Sequence, residues 1–174
     1  MDIKIVPAKL SDLDTIKQFL LNEYCYNRDD PDKATPDFFG LREDALSDIV
    51  SSLPEIIQDD DIIFLLVKSK KWGHILGWAQ VAPYKQDVAE MSSLYLTACA
   101  RRKSIGDSTL KEIIEQVKHR GYRELFTLIQ SRNLIAKHFL TNHGFDLADS
   151  FELDTDVFIE ELRPLKVDKF SLKI

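Results

Sequence analysis

Chemistry concentrates between Glu90 and Gly106. The run Arg101-Arg102-Lys103-Ser104-Ile105-Gly106 places three cations and two small residues directly before a strongly amphipathic segment. A helix starting there has first-turn N–H groups without intrahelical partners, and its dipole adds partial positive charge at the same point. Small residues let backbone come close to a bound anion. The combination suits a diphosphate. It is neither a P-loop nor a G-x-G-x-x-G turn, because both glycine patterns are missing. Upstream, Glu90 is a carboxylate within a stretch, Val88 to Thr97, that reads as a strand.

Other reactive side chains are sparse. His138 and His143 lie on or just after a short helical segment, whereas His74 and His119 occupy a turn and a helix end. No His, Cys or carboxylate cluster has metal-ligand spacing, so no metal is expected. No G-x-S-x-G elbow is present, and Cys99 reads as packing or loop.

The elements that must position these groups follow from periodicity. Ile3 to Val6 alternates and ends at Pro7, a short strand. Ser11 can cap a helix over about Ser11–Tyr24, with Leu13, Ile16 and Leu20 on one face. Residues 27–39, rich in Asp and Pro, read as loop. Leu41, Ala45, Leu46 and Ile49 mark a second helix, Leu41–Ser52. Ile62–Val67 is a continuous apolar run suited to a central strand, and Lys68 to Gly73 turns the chain into its partner, Ile75–Val81.

A strand over Val88–Thr97 carries Glu90, and the basic turn follows it. Leu110, Ile113, Ile114 and Val117 then form a helical face that ends at Gly121. Leu125–Ile129 is a strand, and Asn133 can cap a helix that Gly144 closes. Phe145 to Leu162 reads as two strands, with a hairpin through Glu152–Asp156. Pro164 to Ile174 is either a packed strand or a loose tail. The order β-α-α-β-β-β-α-β-α-β-β describes a mixed-sheet α/β (α+β) domain, a single one over residues 1–174.

Composition bounds the rest. The 174 residues are 44% hydrophobic and 30% charged, an ordinary globular balance. No apolar run reaches the ~20 residues of a membrane span, and the N-terminus lacks a secretory layout. With two cysteines and no disulfide framework, a cytoplasmic setting is expected. A net charge of -6 speaks against general nucleic-acid binding and suits a cationic substrate.

Three stretches together resemble the GNAT superfamily of N-acetyltransferases. The family's pyrophosphate loop, (Gln/Arg)-x-x-Gly-x-(Gly/Ala), is matched by Arg101 and Gly106, with Ser104 in place of the central glycine. Serine keeps the loop tight but resists a positive φ. Asn133-Leu134-Ile135-Ala136, Leu140 and Gly144-Phe145 follow Asn-x-x-Ala-x-x-x-Tyr-x-x-x-Gly-Phe, and Ile75-Leu76-Gly77-Trp78-Ala79 is similar to the family's strand after the hairpin. The likeness runs from about Ile62 to Phe145 and is topological elsewhere.

The resemblance implies a GNAT-like fold, acetyl-CoA as cosubstrate, no metal, and direct attack of an amine on the thioester. It implies cofactor contacts from Leu94, Tyr95, Leu96, Arg101, Arg102, Lys103, Ser104, Ile105, Gly106, Asp107, Asn133 and Lys137. A backbone N–H around Leu94, Tyr95 and Leu96 would polarise the carbonyl. Glu90 would be the base, at the distance before Arg101 where the histone-acetyltransferase branch carries its glutamate. On a period-two strand it shares a face with Ser92, Leu94 and Leu96. The family's tyrosine acid is replaced by Leu140. The thiolate leaves unaided, another donor (His138, His143, Tyr95 or Tyr84) substitutes, or catalysis is lost.

In the family the first two helices and their loop wall the acceptor site. Here they supply Tyr24, Tyr26, Asp29, Asp30, Asp32, Asp37, Phe38 and Phe39, which suit an ammonium group or a solvated acidic loop. The leading reading is an N-acetyltransferase acting on a primary amine of a small molecule, peptide or protein. The alternative is a non-catalytic acyl-CoA-binding module. Expected partners are that amine, no nucleic acid and no membrane, with a homodimer among the assemblies open to it.

Overall fold

The computed structural model describes residues 2–27, 41–158, 160 and 163–174. In chain order the elements are β1 (Ile3–Pro7), α1 (Leu13–Asn27), α2 (Glu43–Gln58), β2 (Ile63–Ser69), β3 (Ile75–Lys85) and β4 (Val88–Leu96). Then come α3 (Ile105–His119), β5 (Glu124–Gln130), α4 (Leu134–Asn142), β6 (Asp146–Leu153) and β7 (Leu165–Lys173). The expected order of elements is the order found. The chain forms two compact units, one of Met1–Ile16, Pro54–Phe126 and Lys173–Ile174, the other of Lys17–Leu53 and Thr127–Leu172.

In the first unit the strands run β1-β2-β3-β4-β5. The first three pairings are antiparallel and β4–β5 is parallel, which requires the α3 crossover between them. Leu65, Leu66, Val67, Leu76, Val81, Leu110, Ile113, Val117 and Leu125 are almost entirely buried. Val67, Leu76, Ala100 and Ile105 form one cluster, with Ile3, Ile5 and Leu96 against it. The face of the sheet bearing Val67, Ile5 and Leu96 is therefore the face that α3 covers. In the second unit the order is β5-β7-β6, with β6 and β7 antiparallel.

Several boundaries differ from expectation: α1 runs on to Asn27, α2 begins at Glu43, β3 extends to Lys85, and four further differences concern the ends of elements. Ser11 does not cap α1. A 3₁₀ turn, Leu10–Asp12, precedes that helix, and the Asp12 carboxylate accepts from the Lys9 N–H at 3.1 Å while also pairing with Lys68. Helix α2 runs past Ser52 through Pro54 to Gln58. Its Ser51 and Ser52 hydroxyls donate to the carbonyls of Ser47 and Ile49, at 2.7 and 2.9 Å. The β2–β3 hairpin is tighter than read, since β2 extends to Ser69. The second strand of the final pair lies at Leu165–Lys173 rather than before Leu162, so the C-terminal segment is a packed strand.

Candidate functional site

Strand β4 carries an irregularity that pattern reading missed. Val81 pairs with Met91 and Gln80 with Ser93, so Ser92 is an extra residue with no partner on β3. Such a bulge shifts the alternation of faces by one. Directly paired residues share a face. Glu90, opposite Ala82, therefore lies on the face of Gln80, Ser93, Trp78 and Tyr95. The expected company of Ser92, Leu94 and Leu96 is overturned: Leu94 and Leu96 pair with Ala79 and Gly77 and take the α3-covered face.

Glu90 is half-buried and also lies in register with Phe126 of β5. Tyr84, which is exposed, meets the Phe126 ring edge-on at 4.8 Å, and the Lys85 ammonium lies 5.2 Å from the Tyr84 ring centre. A carboxylate and an aromatic pair thus stand together on the sheet face away from α3. The buried Tyr95 ring packs against Trp78, with centroids 4.6 Å apart.

The far end of β4 separates the three proposed backbone donors. Thr97 N–H donates to Leu76 O at 2.9 Å. Amide directions alternate along an antiparallel ladder, so Tyr95 also points to β3, while Leu94 and Leu96 point to the opposite edge. On that edge the β5 ladder ends at Glu90. Arg101 Nε donates to the Leu96 carbonyl there at 2.9 Å, and its guanidinium lies 5.8 Å from the Tyr95 ring centre. Gly77 makes this close strand approach feasible, because a Cβ there would stand 2.2 Å from Tyr95 O.

From Arg101 the chain enters α3 through two left-handed residues, Arg102 (φ 57) and Ser104 (φ 55). Ser104 adopts the conformation a glycine would take freely, at a cost of about 1–2 kcal/mol for an L-residue. It occupies the N-cap position, yet its side chain makes no capping hydrogen bond. The first ladder bond of α3 is Ser108 N–H to Ser104 O at 3.2 Å, so the amides of Ile105 and Gly106 precede the ladder. Asp107 lies in the same first turn. Lys103 Nζ donates to Cys99 O at 2.7 Å, which folds the loop back on itself. Arg101 and Lys103 thus shape the loop that leads into the first turn of α3.

In the second unit, Asn133 caps α4 as expected, its Oδ1 accepting from Ala136 N–H at 3.0 Å. Lys137 turns inward and pairs with the buried Asp168 of β7. Ser131 and Ser150 also donate to Asp168, each at 2.8 Å. Burial alone would raise the Asp168 carboxyl, but the Lys137 hydrogen bond, the two serine hydrogen bonds and the lysine charge outweigh it and hold the group below its ordinary value.

Leu140 is buried, a core residue of this unit. His138 Nε2 lies 3.0 Å from Asn142 Nδ2, and His143 Nδ1 lies 2.7 Å from Phe139 O with its ring against Phe139. Of the residues suggested for an acceptor wall, Tyr24 is buried with its hydroxyl donating to Leu41 O at 3.2 Å. Asp29, Asp30, Asp32, Asp37, Phe38, Phe39 and the Tyr26 side chain lie outside what is described. Among the described residues no group of three His, Cys, Asp or Glu side chains could hold a metal ion, and no helix is long and apolar enough to cross a membrane.

The profile of the acetyltransferase (GNAT) family matches residues 23–145. The chain belongs to that family. Its fold agrees. A PaiA N-acetyltransferase from Thermoplasma acidophilum, solved in complex with coenzyme A, is 19% identical with a TM-score of 0.71 over 100% of both chains. An N-acetyltransferase from Staphylococcus aureus Mu50 is 21% identical, TM-score 0.72, over 99% of each chain. The ribosomal-protein-S18-alanine N-acetyltransferase from Escherichia coli is 14% identical, TM-score 0.70, over 99% of this chain and 94% of that one. No curated protein matches the sequence significantly.

Three features of this GNAT chain escaped the sequence. The Ser92 bulge had one faint signal, two adjacent serines interrupting an apolar strand. The Tyr84–Phe126 pair joins residues 42 positions apart and had none. Asp168, a lone acid on β7 next to the buried Val167, is itself buried, which its charged type did not signal.

Proposed function

We propose that this chain is an acetyl-CoA-dependent N-acetyltransferase in which a primary amine attacks the thioester directly in a ternary complex. The observation that carries the reading is the end of β4. Its outward amides leave the β5 ladder after Glu90, and the chain then runs into an α3 start with no side-chain cap. The first feature supplies hydrogen-bond donors for an acyl-pantetheine chain, the second a site for its diphosphate. Acetyl-CoA fits both, with Ile105 and Gly106 N–H at the phosphates, Arg102 adding charge, and Arg101 and Lys103 shaping the loop.

Leu94 N–H is the donor for the thioester carbonyl, since the Tyr95 amide is turned to β3 and Leu96 stands beside the Arg101 strap. Glu90, directly or through a water, takes the proton of an ammonium whose free pKa is near ~10.4. The neutral nitrogen forms the N–C bond, and the C–S bond breaks as the carbonyl reforms. The amine's remaining extra proton goes to solvent, and the thiolate takes one from solvent or from the protonated Glu90, giving an N-acetylated amine and free thiol. The thiol pKa of ~8.5 makes that departure feasible without an acid at Leu140. Tyr84 and Phe126 beside Glu90 suit a cationic acceptor through cation–π contact.

One observation favours the rival, a non-catalytic acyl-CoA-binding module: the tyrosine position is occupied by Leu140, which is fully packed away. Thiol release from acetyl-CoA across a panel of primary amines separates the two. Turnover that falls ~10²–10⁴-fold in Glu90→Gln, with loss of the basic-side rise in rate, supports the enzyme. CoA binding without turnover on any amine supports the module, and an unchanged Glu90→Gln rate and pH profile removes Glu90 from the mechanism.

A further inference from the structure

The ladder between β3 and β4 is interrupted on both sides of Glu90. Ser92 is the extra residue beyond it on β4. On β3, Pro83 pairs with Ala89 and Lys85 with Val88, so Tyr84 is a second extra residue, with no partner on β4. Bulges of this kind re-aim side chains. In an unbroken ladder Lys85 would alternate onto the face that α3 covers. Paired with Val88, two residues before Glu90, it takes the Glu90 face instead.

Two rows of side chains therefore lie side by side on that face. One is Ala82, Glu90 and Phe126, and the other is Lys85, Val88 and Glu124. The Tyr84 ring meets the buried Phe126 at 4.8 Å, and the Lys85 ammonium stands 5.2 Å from the Tyr84 ring centre. The acid in the row of Lys85 is already engaged, because Glu124 pairs with Lys173. Lys85 itself is exposed and pairs with no carboxylate among the described residues.

A proposed base and an unpaired cation thus share one face, a row apart. Val88 and Glu90 are ~7 Å apart along the strand, and Lys85 lies ~5 Å across from Val88 at right angles to it. The α-carbons of Lys85 and Glu90 are then roughly 8–9 Å apart. An acceptor with its amine at Glu90 meets this charge at a distance of about two to three extended residues. A polyamine would bring like charge to it, which is unfavourable, whereas a carboxylate there gains a charge-assisted hydrogen bond. An α-amino acid is too short to reach, since its amine and carboxylate share one carbon.

We infer that Lys85 is a specificity-determining residue for the acceptor: it receives a carboxylate carried about two to three residues' length from the reacting amine. The acceptor class is then a short peptide with a free amine at one end and an acid group at the other. The inference rests on the proposed acetyl transfer with Glu90 as base. It names the acceptor that such a site prefers, and the Tyr84 bulge is what turns the lysine toward it.

Thiol release from acetyl-CoA tests it with three acceptors: trialanine with a free carboxylate, trialanine amide, and alanyl-alanyl-lysine amide. The proteins are wild type, Lys85→Met, Lys85→Arg and Lys85→Glu, all of which should fold because the position is exposed. Wild type is expected to favour trialanine over its amide by tenfold or more in kcat/KM, with the difference lying in KM. Lys85→Met removes the preference, Lys85→Arg keeps it, and Lys85→Glu turns it toward the lysine amide. Added salt shrinks the wild-type preference.

Equal turnover of trialanine and its amide by wild type overturns the inference. So does a wild-type preference for the lysine amide, or a preference for trialanine that Lys85→Met leaves in place. Turnover of other primary amines but of none of the three peptides overturns it as well, and leaves the acetyltransferase reading standing. CoA binding without turnover on any amine removes the catalytic reading and this inference together.

Discussion

The first turns of helices α3 and α4 are built in opposite ways. At α3 the N-cap is a left-handed serine whose side chain makes no cap, and the amides of Ile105 and Gly106 precede the helical ladder. At α4 the asparagine side chain closes on Ala136 N–H, and a buried carboxylate grips the turn through Ser131 and Lys137. The free amides of a helix start must find a partner. One turn finds it in its own sequence, and the other, by our proposal, finds it in a bound diphosphate. Ligand affinity should therefore be lodged at the start of α3, and stability at the start of α4.

The largest effect should come from closing the open end. Ser104→Asp puts a carboxylate where the diphosphate is proposed to sit, and CoA Kd should rise about 10–100-fold by calorimetry, the loss of roughly one charge-assisted hydrogen bond. A Kd within twofold of wild type would mean that the α3 start is not the anion site.

Acid should then expose the charge behind α4. The Asp168 carboxyl is held below its ordinary value, so its contribution is complete above the unfolded-state pKa and is lost as pH falls through the lower folded-state pKa. The melting-temperature gap between wild type and Asp168→Asn should hold at neutral pH and close at acid pH. A gap independent of pH would show that the charge contributes nothing.

Removing the closed cap comes next. Asn133→Ala should cost about 1 kcal/mol by urea denaturation, the usual value of an N-cap side chain, while an equal substitution at Ser104, which caps nothing, should cost less than half of that. Equal losses would erase the contrast between the two turns. The smallest effect is a gain. Ser104→Gly should add from a few tenths to about 1 kcal/mol of stability by relieving the left-handed serine, with CoA Kd within about twofold.

Much of the proposed site was readable residue by residue, and its limits have a physical cause. The basic turn, the amphipathic α3, the Asn133 cap and the left-handed glycines Gly121 and Gly144 are local features, decided within a few residues by capping chemistry, dipole and steric freedom. Glu90 was found but put on the wrong side of its neighbours, because a period-two reading assumes an unbroken ladder. One unpaired residue, Ser92, reversed every later side chain of β4. Helix α2 was ended early because its bounds were read from the stripe Leu41, Ala45, Leu46 and Ile49, whereas the helix continues through Pro54 to Gln58.

The sequence by itself determined the order of elements, the family, the basic turn and the absence of a tyrosine at Leu140, since these depend on residue identity and short spacing. Only the tertiary structure decided which β4 amides face outward, which face Glu90 takes, and that Lys137 answers to Asp168. Those are relations between strands, or between residues 31 positions apart. The register of a ladder and the pairing of a buried charge are fixed by packing, which composition and periodicity do not encode.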